Sequence, residues 1–165
     1  MRVIVTGATS FIGSHAVQAL VSQGFEVCAL IRPNSAGKKN LEQMIIKKEL
    51  LEITECELSG LKELAVNAEK LSKIGQKWSH DLGRADYWLH LGWDGSGSDN
   101  RKLADIQSMN AVYALDALET AAAAHCKRFL FCGSQAEYGV RNTTMRETDA
   151  SEIPFSHCQG YPHSV

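Results

Sequence analysis

No stretch of about 18 consecutive apolar residues occurs in this sequence, so it contains no helix able to cross a bilayer. Cations are not massed either: Lys38-Lys39 and Lys47-Lys48 are only pairs, read as a solvated loop and a solvated helix face. With a formal charge of −2, the chain offers no electrostatic footprint for nucleic acid or an anionic membrane surface. Its five cysteines are odd in number and contain no CxxC spacing, and the chain opens on a strand-like run without a secretory leader. These features predict a reducing, cytoplasmic setting. Cys28 and Cys132 fall inside apolar runs and are expected to be small core hydrophobes. Internal repeats and low-complexity tracts are lacking. His157, Cys158 and His163 lie in an irregular tail, where no metal site is expected.

What is there is a chain of 165 residues with 44% hydrophobic content, enough for one globular domain with a sizeable core. Arg2 to Thr6 is β-branched and apolar on both faces, as suits a central parallel strand. Helical spacing of Ile12, Ala16, Ala19 and Leu20 predicts a helix over 11–23, stopped by Gly24. A second strand is expected over 25–31. Asn40 with Gln43 then resembles a capping box opening a helix to about Lys48. A third strand over 50–54 and a helix along Leu61, Leu64, Ala65, Ala68, Leu71 and Ile74 follow. A fourth strand covers 87–91, and a long helix covers about 100–125 with Leu103, Ile106, Asn110, Ala114, Ala117, Leu118 and Ala121 on one side. A fifth strand covers 128–132. Strands alternating with helices imply right-handed βαβ units and a Rossmann-type, doubly wound parallel sheet of the α/β class. The expected strand order is 3-2-1-4-5, cut short after the fifth strand, with ligand across the carboxyl ends where the order reverses. Residues 1–156 are read as an incomplete NAD(P)-binding domain and 157–165 as an irregular tail, with a substrate domain absent.

Gly7, Ser10 and Gly13 stand where the first strand passes into a helix. Free N–H groups and the positive dipole end at a helix start suit a pyrophosphate, and glycines permit a tight turn and close backbone approach. The segment Thr6-Gly7-Ala8-Thr9-Ser10-Phe11-Ile12-Gly13 closely resembles the TGATGFIG fingerprint of the extended short-chain dehydrogenase/reductase family, also called the NAD-dependent epimerase/dehydratase family. Ser10 stands in place of the fingerprint's middle glycine, where serine can cap the helix or donate to a phosphate. At the end of the second strand an acid would select NAD, whereas a cation accommodates the 2′-phosphate of NADP; here the residue is Arg32, followed by Lys38 and Lys39, which favours NADP. The resemblance further implies that Glu57 and Leu58 line the adenine, that Leu91, Gly92 and Trp93 pass under the second ribose, and that Asn110 steadies the site.

The stretch from Arg128 to Gly139 is similar to the same family's strand carrying its catalytic serine or threonine, a role that falls on Ser134. The family's sugar 4,6-dehydratases carry Asp-Glu directly afterwards; Gln135 and Ala136 stand here, which leaves an epimerase or ketosugar reductase acting on a nucleotide sugar. The family also requires YxxxK, whose lysine lowers the tyrosine pKa. Tyr161 is the candidate by distance, but Val165 occupies the lysine's place, and Asn142 does so for Tyr138. Two readings of the ending remain: a shortened member whose reading frame shifted near Ser156, or a catalytically silent dinucleotide-binding or interaction module. Family members commonly dimerise through the helix corresponding to 100–125 and the following helix, so the resemblance implies a homodimer there. Loss of the second helix would leave apolar surface over the fifth strand.

Overall fold

Five short runs pair side by side; the first two, at the centre of the sheet, bury residues on both faces, whereas the last, at the sheet edge, is largely exposed. In this computed structural model, which describes residues 1–74, 84–97, 99–133, 144, 146 and 148, they are β1 (Arg2–Thr6), β2 (Glu26–Ile31), β3 (Leu51–Glu55), β4 (Tyr87–His90) and β5 (Arg128–Phe131). All neighbours are parallel, in the order β3-β2-β1-β4-β5, as the alternation of strands and helices predicts. Register brings Val5 opposite Ala29 and Leu89, and Thr6 opposite Leu30 and His90. Side chains alternate between the two faces. Val3, Val5, Val27, Ala29 and Ile31 pack with Val17 and Val21 of α1 (Phe11–Ser22) and Leu41 of α2 (Lys38–Met44). Ile4, Cys28, Leu30 and Trp88 pack on the other face with Leu61 of α3 (Leu61–Val66), Leu71 of α4 (Ala68–Ser72), and Ala117 and Ala121 of α5 (Ala104–Ala123). Each large side chain so buried contributes roughly 1.5–3 kcal/mol against unfolding.

The helices depart from their expected bounds for local reasons. α2 opens at Lys38 after Gly37, not at Asn40: the turn from Arg32 to Ser35 already leads into it, through Ser35 N–H on Arg32 O and Lys38 N–H on Ser35 O, both 3.1 Å. Asn40 therefore lies inside the helix, and α2 ends at Met44 rather than near Lys48. The stripe from Leu61 to Ile74 is divided at Asn67, whose extended backbone lets its side chain accept the Lys70 N–H and cap α4. The long helix starts late because Leu103 is extended; Asn100–Lys102 form a separate 3-10 turn. Its buried line runs through Asn110, Ala117, Thr120 and Ala121, while Leu103 and Leu118, assigned to that line from spacing, are about half exposed. β5 ends at Phe131, so Cys132 lies past the strand and is exposed instead of being a core thiol; Cys28 is fully buried.

The chain divides into two compact units, Met1–Phe131 and Cys132–Val165. The first carries the whole sheet and α1 to α5. In the second, residues 132, 133, 144, 146 and 148 are described, and Ser134, Tyr138 and Tyr161 fall outside the described residues. Among the described residues no helix is long and apolar enough to cross a membrane.

Thr120 fastens α5 to the start of α3: its buried hydroxyl lies 2.8 Å from Leu61 O and 2.6 Å from Asp116 O. Thr120→Val removes this donor, with an expected loss of about 1–2 kcal/mol. Urea unfolding should show a lower midpoint with an unchanged slope, and an unmoved midpoint would show that the bond fastens nothing.

Candidate functional site

The site begins where β1 runs out. Gly7 adopts φ +68°, and a Cβ there would lie 2.5 Å from Leu91 O, so both its backbone angle and its surroundings demand glycine. A Cβ on Gly13 would stand 2.1 Å from Gly7 O, so the first turn of α1 sits directly on the β1 turn. Ser10 between them has φ −71°, which any residue adopts, so serine here causes no backbone strain. Its Oγ caps α1 by accepting the Gly13 N–H at 3.0 Å. A hydroxyl that accepts this bond still has its own proton to donate. The amides of Phe11 and Ile12, in the first turn, have no acceptor within the helix. Their side chains are 82% and 61% exposed, so nothing apolar covers this helix start.

β2 delivers Arg32 to the same edge. Arg32 is exposed, and its guanidinium has no hydrogen-bond or ion-pair partner among the described residues; only its backbone carbonyl is engaged, by the Ser35 N–H. Lys38, expected to add a second cation, instead forms an ion pair with Glu55 at 3.2 Å, which leaves Arg32 as the cation lining the cleft. Thr9 Oγ1 and Ser35 Oγ, 2.9 Å apart, join the β1 turn to the turn after β2. Behind β3, Cys56 Sγ donates to Glu57 O, and burial, reinforced by Glu57 and Glu63, pushes its thiol up to about 11. It is therefore a protonated wall residue at neutral pH and not a nucleophile.

The loop leaving β4 is held by two polar clamps. Thr6 Oγ1 accepts the N–H groups of Leu91 and Gly92, each at 3.2 Å, and lies 2.8 Å from Nδ1 of His90. Both Thr6 and His90 are 1% exposed. Burial lowers the His90 pKa from 6.5 to about 4, so the ring is neutral at physiological pH. Farther along, the buried Asn110 accepts the Asp94 N–H at 2.7 Å and donates to Asp94 O at 3.0 Å and Ile106 O at 3.3 Å. A side-chain amide in the middle of an apolar helix face thereby fixes the loop's backbone. Trp93, 47% exposed, is oriented by its indole N–H on Gln107 Oε1 at 2.9 Å.

These pieces enclose a cleft of about 710 Å³ at the carboxyl edge of the sheet, within the size range of ligand pockets. Of the residues assigned from sequence, Gly7, Thr9, Ser10, Arg32, Glu57, Leu58, Leu91, Gly92 and Trp93 line it; Phe11, Ile12, Gly13 and Asn110 do not. Gly13 and Asn110 stand behind the wall and shape it. Ser35, Asp94, Ser96 and Tyr113 also line the cleft without having been singled out. Tyr113 had a legible signal, since it is three residues beyond Asn110 on α5 and shares that side of the helix. The glycine-only contacts, the open first turn of α1 and one cation at the far wall fit an extended anion with a sugar at each end, as in a nicotinamide dinucleotide. Among the described residues no group of His, Cys, Asp and Glu is placed to hold a metal ion.

The model of the NAD dependent epimerase/dehydratase family matches residues 3–165. Among solved structures, the UDP-Glc/GlcNAc 4-epimerase from Campylobacter jejuni is 19% identical with a TM-score of 0.70, over 91% of this chain and 42% of its own. The UDP-glucose-4-epimerase from Stenotrophomonas maltophila, solved with bound NAD and formylated UDP-arabinopyranose, is 18% identical with a TM-score of 0.69, over 92% of this chain and 42% of its own. At such identities the likeness shows the fold, and this chain spans less than half the length of either protein. Fatty acid hydroxylase uhd1 of Mycosarcoma maydis is 49% identical over 39 residues, 24% of this chain and 13% of that one.

His90 gives the site an acid sensitivity. Its pKa is lowered in the folded protein, so as pH falls from 6.5 towards 4 the unfolded chain takes up a proton that the folded one refuses. The stability it contributes is complete above about pH 7 and is lost as pH falls through this window. At pH 5 the loss relative to pH 7.5 is about 2 kcal/mol. The unfolding free energy from urea titrations should fall between the two pH values by this much more than it does in His90→Asn; equal pH dependence in both proteins would contradict it.

Proposed function

The chain belongs to the NAD dependent epimerase/dehydratase family, and on that premise we propose that it binds a nicotinamide dinucleotide in the cleft and descends from epimerases or reductases acting on nucleotide sugars. The observation that carries this reading is the turn from Gly7 to Gly13, where backbone meets backbone beneath an open helix start. Pyrophosphate oxygens would take the amides of Phe11 and Ile12, with the Ser10 hydroxyl proton as a further donor. Adenine would lie towards Glu57 and Leu58, and the second ribose over Leu91, Gly92 and Trp93. Asn110 acts through the Asp94 backbone it clamps. When bound, the nicotinamide would accept and return hydride at a sugar carbon. Arg32, exposed at the cleft wall, favours NADP over NAD by pairing with a 2′-phosphate.

For the sugar, Ser134 is proposed to hydrogen-bond the hydroxyl or carbonyl whose carbon exchanges hydride, with Tyr161 as the tyrosine of that pair. The support is sequence position: Ser134 stands five residues before Gly139 in the stretch similar to the family's strand that carries its catalytic serine or threonine. A catalytically silent dinucleotide-binding module is the second reading, favoured by Val165 and Asn142 standing where the lysine partner of Tyr161 or Tyr138 belongs. Of the two, binding without turnover is the expected behaviour of this chain. Self-association through α5 is also proposed, because Met109, Val112, Leu115 and Leu118 are 41–61% exposed along it. A reducing, cytoplasmic setting is supported by the four described cysteines, none of them in a disulfide.

Fluorescence titration of the purified chain tests the cofactor reading. NADPH should bind about tenfold more tightly than NADH, and Arg32→Ala should bring the two to within about twofold by removing the charged hydrogen bonds to the extra phosphate. Equal affinities in the parent chain would overturn the preference for NADP. Gly13→Val should abolish binding of both, since its side chain would displace the β1 turn; unaltered affinity would refute the placement of the pyrophosphate. Incubation with NADPH or NAD and a UDP-sugar should give no hydride turnover, and measurable turnover would sink the silent reading. Sedimentation should report a dimer that Leu115→Glu converts to monomer, whereas a monomeric parent chain would contradict association through α5.

A further inference from the structure

A buried histidine with a neutral ring and one well-defined partner stands directly behind the cleft floor. His90 ends β4 opposite Thr6 in register, and its ring is stacked with Phe129 at 6.0 Å and Phe131 at 5.8 Å between centroids. Neither Thr6 nor His90 lines the cleft, but Leu91 and Gly92, whose amides Thr6 holds, both do.

Counting protons settles the polarity of this cluster. A hydroxyl has one proton and two lone pairs. Thr6 Oγ1 has the amides of Leu91 and Gly92 at 3.2 Å each, and amides can only donate. Both lone pairs are thereby taken, and the hydroxyl proton is left for Nδ1 of His90 at 2.8 Å. Nδ1 must then be bare and the ring's proton must sit on Nε2. The opposite tautomer would aim three donors at one oxygen and leave the hydroxyl proton without this acceptor. The amide of Leu91 has a second acceptor in Thr6 O at 3.3 Å, so the amide that depends most on the hydroxyl is that of Gly92. There is no slack to absorb a rearrangement: a Cβ on Gly92 would stand 2.7 Å from Leu58 Cδ2 and 3.3 Å from Thr6 Oγ1.

We propose that His90 is a positioning residue for the cleft, held as the Nε2–H tautomer so that its Nδ1 takes the Thr6 proton and turns both Thr6 lone pairs to the Leu91 and Gly92 amides. The floor beneath the ligand's sugar is thus set from the far side by a residue that never touches the ligand. The effect on affinity rests on the reading of the cleft as a dinucleotide site; the tautomer and the amide bonds do not.

The test separates these two layers. In ligand-free protein labelled with 15N, long-range 15N–1H correlation at pH 7.5 should show His90 unprotonated at Nδ1 and protonated at Nε2; a proton on Nδ1 overturns the proposal. Two variants then probe its consequence. His90→Phe keeps a stacking ring without an acceptor, whereas His90→Asn returns an acceptor oxygen at the δ position. Hydrogen exchange of the Gly92 amide should quicken about tenfold in His90→Phe and stay within about twofold of the parent in His90→Asn. Affinity for NADPH should follow the same pattern, falling about fivefold in the first and being retained in the second. Unchanged exchange and affinity in His90→Phe, or an equal loss in both variants, would reduce His90 to packing and overturn the proposal. Failure of the parent chain to bind either NADPH or NADH would refute the dinucleotide reading alone, because the tautomer and the exchange of Gly92 are measured without ligand. Should His90→Phe not fold, the tautomer of the parent protein still decides.

Discussion

The backbone of the β1 turn lies against the backbone leaving β4 with no side chain between them, and the arrangement of the cleft depends on that contact. Gly7 approaches Leu91 closely enough that a single methyl would strike its carbonyl, and Gly13 sets α1 on the same turn. The carboxyl ends of β1 and β4 are neighbours in the sheet, yet their chains depart to opposite faces, β1 into α1 and β4 towards α5. A crevice opens at that divergence. Its width is set by how near the two departing backbones can come, and that distance is a matter of glycine.

Close approach by itself does not hold a loop still. Among the described residues the loop after β4 has no helix or strand between His90 and Asn100 to satisfy its amides and carbonyls, so buried side chains take over that task. Thr6 and His90 secure its start, and Asn110 secures its middle at Asp94. Thr6, His90 and Asn110 are nearly inaccessible to water, and the atoms they turn towards the loop are engaged in the bonds described. That combination gives rigidity, because an unmade bond in such surroundings has no solvent to replace it. Ser10 shows the same economy at the helix start. It fills the place of a glycine without strain and satisfies an amide that would otherwise need another acceptor.

Much of the fold was legible because burial on both faces leaves a pattern in sequence. RVIVT, FEVCALI and YWLHL each read as a strand, and their alternation with helical stripes implies the parallel sheet and strand order found. Boundaries were legible less well. Asn67 falls within the span read as one helix, yet its side chain competes for backbone N–H groups and divides that helix; Asn40 reads as a cap but lies within the first turn of α2. Leu103 and Leu118 have helical spacing, but spacing fixes only which residues share a side, and packing decides which side is covered. The apolar run that suggests a core position for Cys132 extends one residue beyond the last strand pair, where the thiol is exposed.

For the site, residues close together in the chain were determined by sequence alone: the Gly7–Gly13 turn carries its own glycine requirement, and Arg32 follows directly from the end of β2. Partnerships across long separations were decided by tertiary structure. Nothing local pairs Lys38 with Glu55, which removes a cation from the cleft wall, or brings Tyr113 to it. Thr6 and His90 stand 84 positions apart, and only the pairing of β1 with β4 in one particular register makes them hydrogen-bond partners. The physical reason is common to all of these cases: a turn's backbone angles are set by its own residues, whereas a side-chain proton goes to whichever acceptor the packed sheet places within reach.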